Sequence, residues 1–307
     1  MDNEFILQDR IQKIQQIINQ YGEENFAVGF SGGKDSTVVS ELLDLAIPNN
    51  NIPRVYSNTG IELDLIEEFV KNKQKSDTRI KIIKPTLSIK ETLEKYGYPF
   101  KSKMHSHYLK LYQKDGLNYK SVRAYTRKEN TLRGTPMFRT CPKILDYQFT
   151  DEFNIKISDD CCVKLKEEPV KKWLKENNIP YSILGIMREE GGRRWDSQCL
   201  AFKGKKLHSF QPLVAVTKDW EEWFINEYNI DICDIYKPPY NYTRTGCKGC
   251  PFAINLQKEL DTLEEFFPNE RKQCEYIWKP VYDEYRRIGY RLKDNGGDYN
   301  ETRCTQV

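Results

Sequence analysis

The stretch Phe26-Ala27-Val28-Gly29-Phe30-Ser31-Gly32-Gly33-Lys34-Asp35-Ser36 runs from an apolar segment through a glycine pair into Ser36 to Ala46, which is apolar at helical spacing. It reads as strand, loop, helix. A loop so placed aims free backbone N–H groups outward, and the helix dipole adds a partial positive charge, so Ser31 to Ser36 forms an anion site. Gly32 and Gly33 let the backbone approach a phosphate, Lys34 supplies a point charge, and Ser31 and Ser36 offer hydroxyl donors. Asp35 is well placed to cap the helix. The Walker pattern needs more residues between the first Gly and the Gly-Lys pair, which argues against kinases and GTPases.

Outward from this loop the pattern repeats. Upstream, Ile6, Ile11, Ile14, Ile17 and Ile18 mark an amphipathic helix from Glu4 to Tyr21, closing at Gly22. Downstream come a strand at Arg54 to Ser57, a helix at Asp64 to Lys73 and a strand at Ile80 to Ile83. A helix at Glu168 to Asn177 and a buried strand at Tyr181 to Ile186 follow later. Alternating strands and helices imply an α/β fold with a doubly wound, mostly parallel sheet. Ser88 to Tyr98, Asp219 to Tyr228, Leu256 to Phe266 and Asn269 to Ile288 read as further helices. The stretch 99–140 is rich in Lys, Arg, Tyr and Ser without clear period, and is expected to be a basic insertion with helical pieces. The expected organisation is a nucleotide-binding α/β domain over 1–230 and a helical C-terminal region and tail over 231–307.

Composition narrows the class. The 307 residues carry 48 basic and 45 acidic side chains, a net charge of +3, so no global field demands nucleic acid or an anionic membrane. No apolar run is long enough for a signal peptide or a membrane span, and a cytoplasmic protein without membrane partners is expected. Nine Cys are an odd number for disulfides, which a reducing compartment disfavours in any case. Metal binding or thiol chemistry fits better.

Two further constellations carry chemistry. Gly185-Ile186-Met187-Arg188-Glu189-Glu190-Gly191-Gly192-Arg193-Arg194 leaves a buried strand and presents three Arg beside a glycine pair. Guanidinium forks match phosphate or sulfate oxygens in bidentate fashion, and the strand's C-terminal end is where open α/β sheets bind ligands. Cys161-Cys162 and Cys247-Lys248-Gly249-Cys250 form two close pairs, enough for four thiolates on one centre of zinc or of iron and sulfur. Adjacent cysteines must bend sharply around a single ion and suit a larger cluster better. Cys141, Cys199, Cys233 and Cys274 read as core or surface thiols. His105-Ser106-His107 reads as part of a solvated loop, and neither it nor His208 fits a metal or triad spacing.

Ser31-Gly32-Gly33-Lys34-Asp35-Ser36 resembles the pyrophosphate loop of the adenine nucleotide α-hydrolase (HUP-type) superfamily, whose members bind ATP or adenylyl sulfate. Asn58-Thr59-Gly60 resembles the Asp-Thr-Gly segment of the phosphoadenosine phosphosulfate (PAPS) reductase family, with Asn58 in place of the acid. In that family an arginine loop contacts the phosphosulfate, and Arg188 with Arg193 or Arg194 occupies those places. Cys161-Cys162-Val163-Lys164-Leu165-Lys166-Glu167-Glu168-Pro169 is similar to the Cys-Cys-x-x-x-Lys-x-x-Pro pattern of assimilatory adenylyl sulfate reductases. Arg244-Thr245-Gly246-Cys247-Lys248-Gly249-Cys250-Pro251-Phe252 is similar to their second Cys pair. The resemblance covers about residues 24 to 255.

It implies an adenine nucleotide (ATP, adenylyl sulfate or PAPS) held by Ser31 to Ser36, Asn58, Thr59, Gly60, Arg188, Arg193 and Arg194. It also implies a [4Fe-4S] cluster on Cys161, Cys162, Cys247 and Cys250. Lys34, Arg188 and a tail nucleophile, Cys304, are the expected catalytic groups, with a thiol donor such as thioredoxin as partner. Reductases of this family carry the nucleophile in Glu-Cys-Gly-x-His, whereas Glu301-Thr302-Arg303-Cys304-Thr305 lacks both the Gly and the His. That departure, with the basic stretch 101–139, also supports a second expectation: ATP-dependent thiolation of DNA or RNA, with nucleic acid as partner. A catalytically degenerate nucleotide-binding regulator is the third.

Overall fold

The computed structural model describes residues 2–131, 133–191 and 194–293. The chain groups into two compact units, one of residues 1–86 with 166–246, the other of 87–165 with 247 onward. This grouping differs from the expected partition at 230. The stretch 99–140, expected as an insertion in the nucleotide domain, belongs to the second unit.

Residues 1–86 supply α1 (Asn3–Tyr21), β1 (Phe26–Gly29), α2 (Lys34–Ala46), β2 (Arg54–Ser57), α3 (Asp64–Ser76) and β3 (Ile80–Ile83). Residues 87–165 supply α4 (Ile89–Tyr96), α5 (Lys103–Asp115) and α6 (Lys120–Tyr125). The chain then forms α7 (Glu168–Glu176), β4 (Tyr181–Leu184), β5 (Leu200–Lys203), β6 (Lys206–Phe210) and α8 (Lys218–Glu227). Beyond 246 lie α9 (Leu256–Phe266), α10 (Pro268–Ile277) and α11 (Lys279–Arg287).

In the first unit the six strands form one sheet in the order β3-β2-β1-β4-β6-β5. All neighbours are parallel except β5, which runs antiparallel to β6 at the edge. The doubly wound, mostly parallel α/β expectation holds, and the β5–β6 hairpin extends it at one edge. Phe26, Ala27 and Val28 are buried because the sheet is covered on both faces, as parallel strands require. α1 contributes Leu7, Ile14, Ile17 and Ile18, and α2 contributes Val38, Val39, Leu42 and Leu43, to one core with Phe210, Trp220 and Phe224. The chain leaves β1 toward β2 on one side and meets β4 on the other. The C-terminal ends of β1 and β4 therefore flank the topological switch point, where such sheets bind ligands.

The second unit is helical. His105, expected in a solvated loop, lies instead on α5 and is fully buried, with its ring bonded to the Tyr125 hydroxyl (3.0 Å) and the Gln148 carbonyl (2.7 Å). Burial pulls its pKa down to about 3, so it is a neutral core residue at neutral pH. The helix expected over Asn269 to Ile288 breaks into α10 and α11 at Trp278, because Pro280 in the first turn of α11 has no N–H to continue the ladder.

Candidate nucleotide site and thiol group

The loop after β1 is braced by its own short side chains. The Ser31 amide donates to Ser36 Oγ (3.1 Å), the Gly33 amide to Ser31 Oγ (3.2 Å), and the Ser36 hydroxyl to the Gly33 carbonyl (2.9 Å). Thr37 donates its amide and hydroxyl to that same carbonyl, each at 3.0 Å. The N-cap of α2 is Gly33, not Asp35, and it carries no side-chain cap; Asp35 sits in the first helical turn. The expectation of an Asp35 cap fails because the helix starts two residues earlier than the apolar spacing indicated. Gly32 has φ +70°, and a Cβ there would stand 2.6 Å from Val70 Cγ2. A Cβ on Gly185 would stand 2.8 Å from the Asp35 carbonyl oxygen. Gly32 thus lets the loop after β1 pack against α3, and Gly185 lets the loop after β4 close on the start of α2.

A cleft of about 710 Å³, open to solvent, lies there. Ser31, Gly33, Lys34, Asp35 and Ser36 line one side, and Gly185, Ile186, Arg194, Arg244 and Tyr236 line the rest. The neighbouring cavity is lined by Phe30, Tyr56, Ser57, Glu62, Lys166 and Gly246, among others. Burial, and then the charge of Arg244, lower the pKa of Arg194, with Asp35 opposing. Two guanidinium groups close enough to repel are an arrangement that a bound oxyanion would relieve. The Tyr236 hydroxyl pairs with Thr245 Oγ1 at 2.6 Å, and burial raises its pKa to about 12.

The other expected nucleotide residues are placed differently. Arg188 is exposed and donates to the Ser197 carbonyl (2.9 Å), and it lines neither cavity. Glu189, beside it, accepts from the Lys218 amide at the start of α8 (2.7 Å). Asn58, Thr59 and Gly60 form a turn whose polar groups are occupied. The Asn58 amide donates to Glu67 (2.8 Å), the Thr59 hydroxyl to Glu62 (2.7 Å), and the Gly60 amide to Asn58 Oδ1 (3.1 Å). None of the three lines either cavity; Glu62, which holds the turn and faces Lys166 at 3.3 Å, does. Arg193 and Cys304 lie outside the described residues.

Sequence reasoning missed Tyr236, Arg244 and Thr245 as cleft residues, having read 244–252 only as the flank of a Cys pair. It also missed Glu221. This acid on α8 is 1% exposed, and its pKa is pushed up to about 8 by burial first and by Asp35 next, against the pull of Lys34.

All four expected thiol ligands belong to the second unit. Cys161 and Cys250 each feel the other cysteines of the group. The Cys161 pKa is raised by a hydrogen bond with Cys162, then by burial and by Cys162, Cys250 and Cys247. The Cys250 pKa is raised by burial, then by Cys247, with Cys162 adding a smaller push. The second pair sits on a pinned loop. The Trp278 indole donates to the Lys248 carbonyl (3.1 Å), the Tyr282 hydroxyl to the Gly249 carbonyl, and the Tyr285 hydroxyl to the Pro251 carbonyl (2.9 Å). Lys248 itself is buried against Glu270 at 3.0 Å. The first pair opens a helical turn that continues as a π-helix, Val163–Glu167. Among the described residues, no group of three or more His, Cys, Asp or Glu forms an arrangement that could hold a metal ion. What the structure does give is a shared electrostatic neighbourhood, in which the other cysteines of the group hold Cys161 and Cys250 toward the protonated thiol.

Residues 25–135 and 142–253 match the model of the phosphoadenosine phosphosulfate reductase domain. The chain belongs to this family. No curated protein matches the sequence. Among solved structures, PAPS reductase from Candida auris, in a phosphate complex, is 11% identical with a TM-score of 0.42, covering 77% of this chain and 93% of its own. The NH3-dependent NAD synthetase of Campylobacter jejuni subsp. jejuni is 13% identical with a TM-score of 0.40 (92% and 95% covered). The U34-tRNA thiolase NcsA of Methanococcus maripaludis, solved with its [4Fe-4S] cluster, is 15% identical with a TM-score of 0.39 (92% and 80%). The PAPS reductase domain match takes in the phosphate loop, both Cys pairs and every residue lining the cleft. Among the described residues no helix is long and apolar enough to cross a membrane.

Proposed function

We propose that the chain is a PAPS reductase-family enzyme that binds adenylyl sulfate or PAPS in the cleft at Ser31–Ser36 and reduces its sulfuryl group to sulfite. The observation that carries this reading is the convergence of the braced loop, Lys34, Arg194 and Arg244 on one cleft at the switch point of the sheet. In the proposed reaction a cysteine thiolate attacks the sulfur, the S–O bond to the phosphate breaks, and the adenylate leaves with the bonding electron pair. A second thiol then attacks the sulfur of the cysteine, a disulfide forms, and sulfite departs; a dithiol donor of the thioredoxin class supplies the two electrons. Lys34, Arg194 and Arg244 hold the anionic anhydride and stabilise the charge that grows on the leaving phosphate. Cys304 is the proposed nucleophile.

A [4Fe-4S] cluster on Cys161, Cys162, Cys247 and Cys250 fits the donor chemistry, and when bound it would supply a charged, redox-active centre to the second unit. Arg188, Arg193 and the Asn58-Thr59-Gly60 turn are proposed to contact the nucleotide once it is bound. A second reading, ATP-dependent thiolation of DNA or RNA, is favoured by the sequence around Cys304, which lacks the Gly and His of the reductase motif. One experiment separates them: anaerobically purified protein is offered adenylyl sulfate, PAPS or ATP with a dithiol donor. Sulfite release is the expected result. Pyrophosphate release from ATP, stimulated by nucleic acid, would replace this reading by the second, and binding without turnover would leave a regulator.

A further inference from the structure

Beside the phosphate loop, on α8, stands an acid that the proposed reaction does not use. Glu221 is buried on α8, its Oε1 accepts from no donor among the described residues, and the Asp35 carboxylate lies close enough to share a proton with it. The charged groups that face it are Lys34 and Asp35 from α2 and Glu222 on its own helix. The Lys34 ammonium stands 3.9 Å from Glu221 Oε2 and 3.8 Å from Glu222 Oε1, ion-pair distances longer than a hydrogen bond. Lys34 also lines the cleft. One ammonium thus has two competing partners: the carboxylates of α8 and any oxyanion that enters.

An oxyanion on the loop draws Lys34 toward itself. Glu221 then keeps its burial and its two acidic neighbours and loses the Lys34 cation that faces it. A buried carboxylate in that position is neutralised by a proton. We propose that Glu221 is a proton-accepting positioning residue of the phosphate loop: a phosphosulfate or polyphosphate anion draws Lys34 off α8, and Glu221 takes up one proton from solvent as Lys34 leaves. The inference rests on the reading of the cleft as a nucleotide site. It makes oxyanion binding proton-linked, and more so in alkaline solution, where the free protein holds Glu221 ionised.

Adenylyl sulfate has no group that titrates near pH 9 and is the probe of choice, with ATP in parallel. Calorimetric titration in two buffers of different ionisation enthalpy reads the protons taken up. The expected result is uptake approaching one proton per site at pH 9 and little at pH 6.5, with Glu221→Gln binding the probe but taking up none. No uptake at pH 9, or equal uptake by Glu221→Gln, overturns the proposal.

If neither probe binds, the nucleotide reading fails, and Glu221 is judged without ligand, from stability against pH. Its folded pKa, about 8, lies above the ordinary 4.5, so the folded state holds the extra proton between those values and stability falls as pH rises through that window. Glu221→Gln should remove this fall, and Lys34→Met should extend it above pH 8. A Lys34→Met curve that superimposes on the wild-type curve overturns the proposal.

Discussion

The loop Ser31–Ser36 of the first unit and the cysteine loop Cys247–Pro251 of the second each carry a candidate ligand set, yet they are built in opposite ways. Ser31–Ser36 is braced from within by short hydroxyl and amide bonds, and it lines the cleft without needing a ligand to hold it in place. Cys247–Pro251 is held from outside, by Trp278, Tyr282 and Tyr285 donating to its carbonyls. The backbone is fixed in both. In the second, the neighbouring cysteines disfavour ionisation of Cys250, as they do of Cys161. A local polar loop is complete when folded; a thiol group of this kind would be completed by the centre proposed to discharge it.

The largest expected effect breaks the thiol side of this contrast. Cys161→Ser or Cys250→Ser should reduce iron in anaerobically purified protein from about four atoms per chain, as one [4Fe-4S] cluster requires, to less than one, by iron and sulfide assay. A colourless wild-type protein containing only zinc would end the cluster assignment. Next comes Gly32→Ala, which forces a Cβ onto Val70 at a left-handed backbone position. Strain of about 1–3 kcal/mol at the loop should weaken nucleotide binding roughly 10- to 100-fold in a calorimetric titration while leaving iron content unchanged.

Within the first unit, Arg194→Ala and Arg188→Ala sharpen the account. A cleft-lining guanidinium should cost about tenfold or more in affinity, from a charged hydrogen bond of about 1.5–3 kcal/mol. Arg188, bonded to Ser197 in the free protein, should cost less. Smallest is Tyr285→Phe, which removes one donor from the cysteine loop. A loss of about 1 kcal/mol, near 2–4 °C in Tm by calorimetry, is expected, with cluster content retained.

The sequence made the sheet and the phosphate loop legible because both are local: apolar runs, a glycine pair and helical spacing lie within twenty residues of one another. The edge hairpin β5–β6 escaped notice because Phe202 and Lys203 face solvent and blur the alternation, although Gly204 at φ +64° marks its turn. His105 was misread because its neighbours are Lys and Tyr, while its burial depends on Tyr125 and Gln148, 20 and 43 residues away. Arg244 and Tyr236 reach the cleft through tertiary structure alone. Glu221 had a signal: it stands beside Trp220 and three residues before Phe224, on a face that an acid seldom shares. The Cys pairs were legible as donors, but their shared electrostatics was not, because 85 residues part Cys162 from Cys247.

The central claim is that Ser31–Ser36 is an adenine-nucleotide site. It is tested most directly by titrating adenylyl sulfate, PAPS and ATP into anaerobically purified wild-type protein and Gly32→Ala, with heat of binding as the readout. The expected result is saturable one-to-one binding of at least one of the three by the wild type, weakened at least tenfold in Gly32→Ala. Wild-type protein that binds none of them, or a Gly32→Ala variant that is folded and binds as tightly, would contradict it.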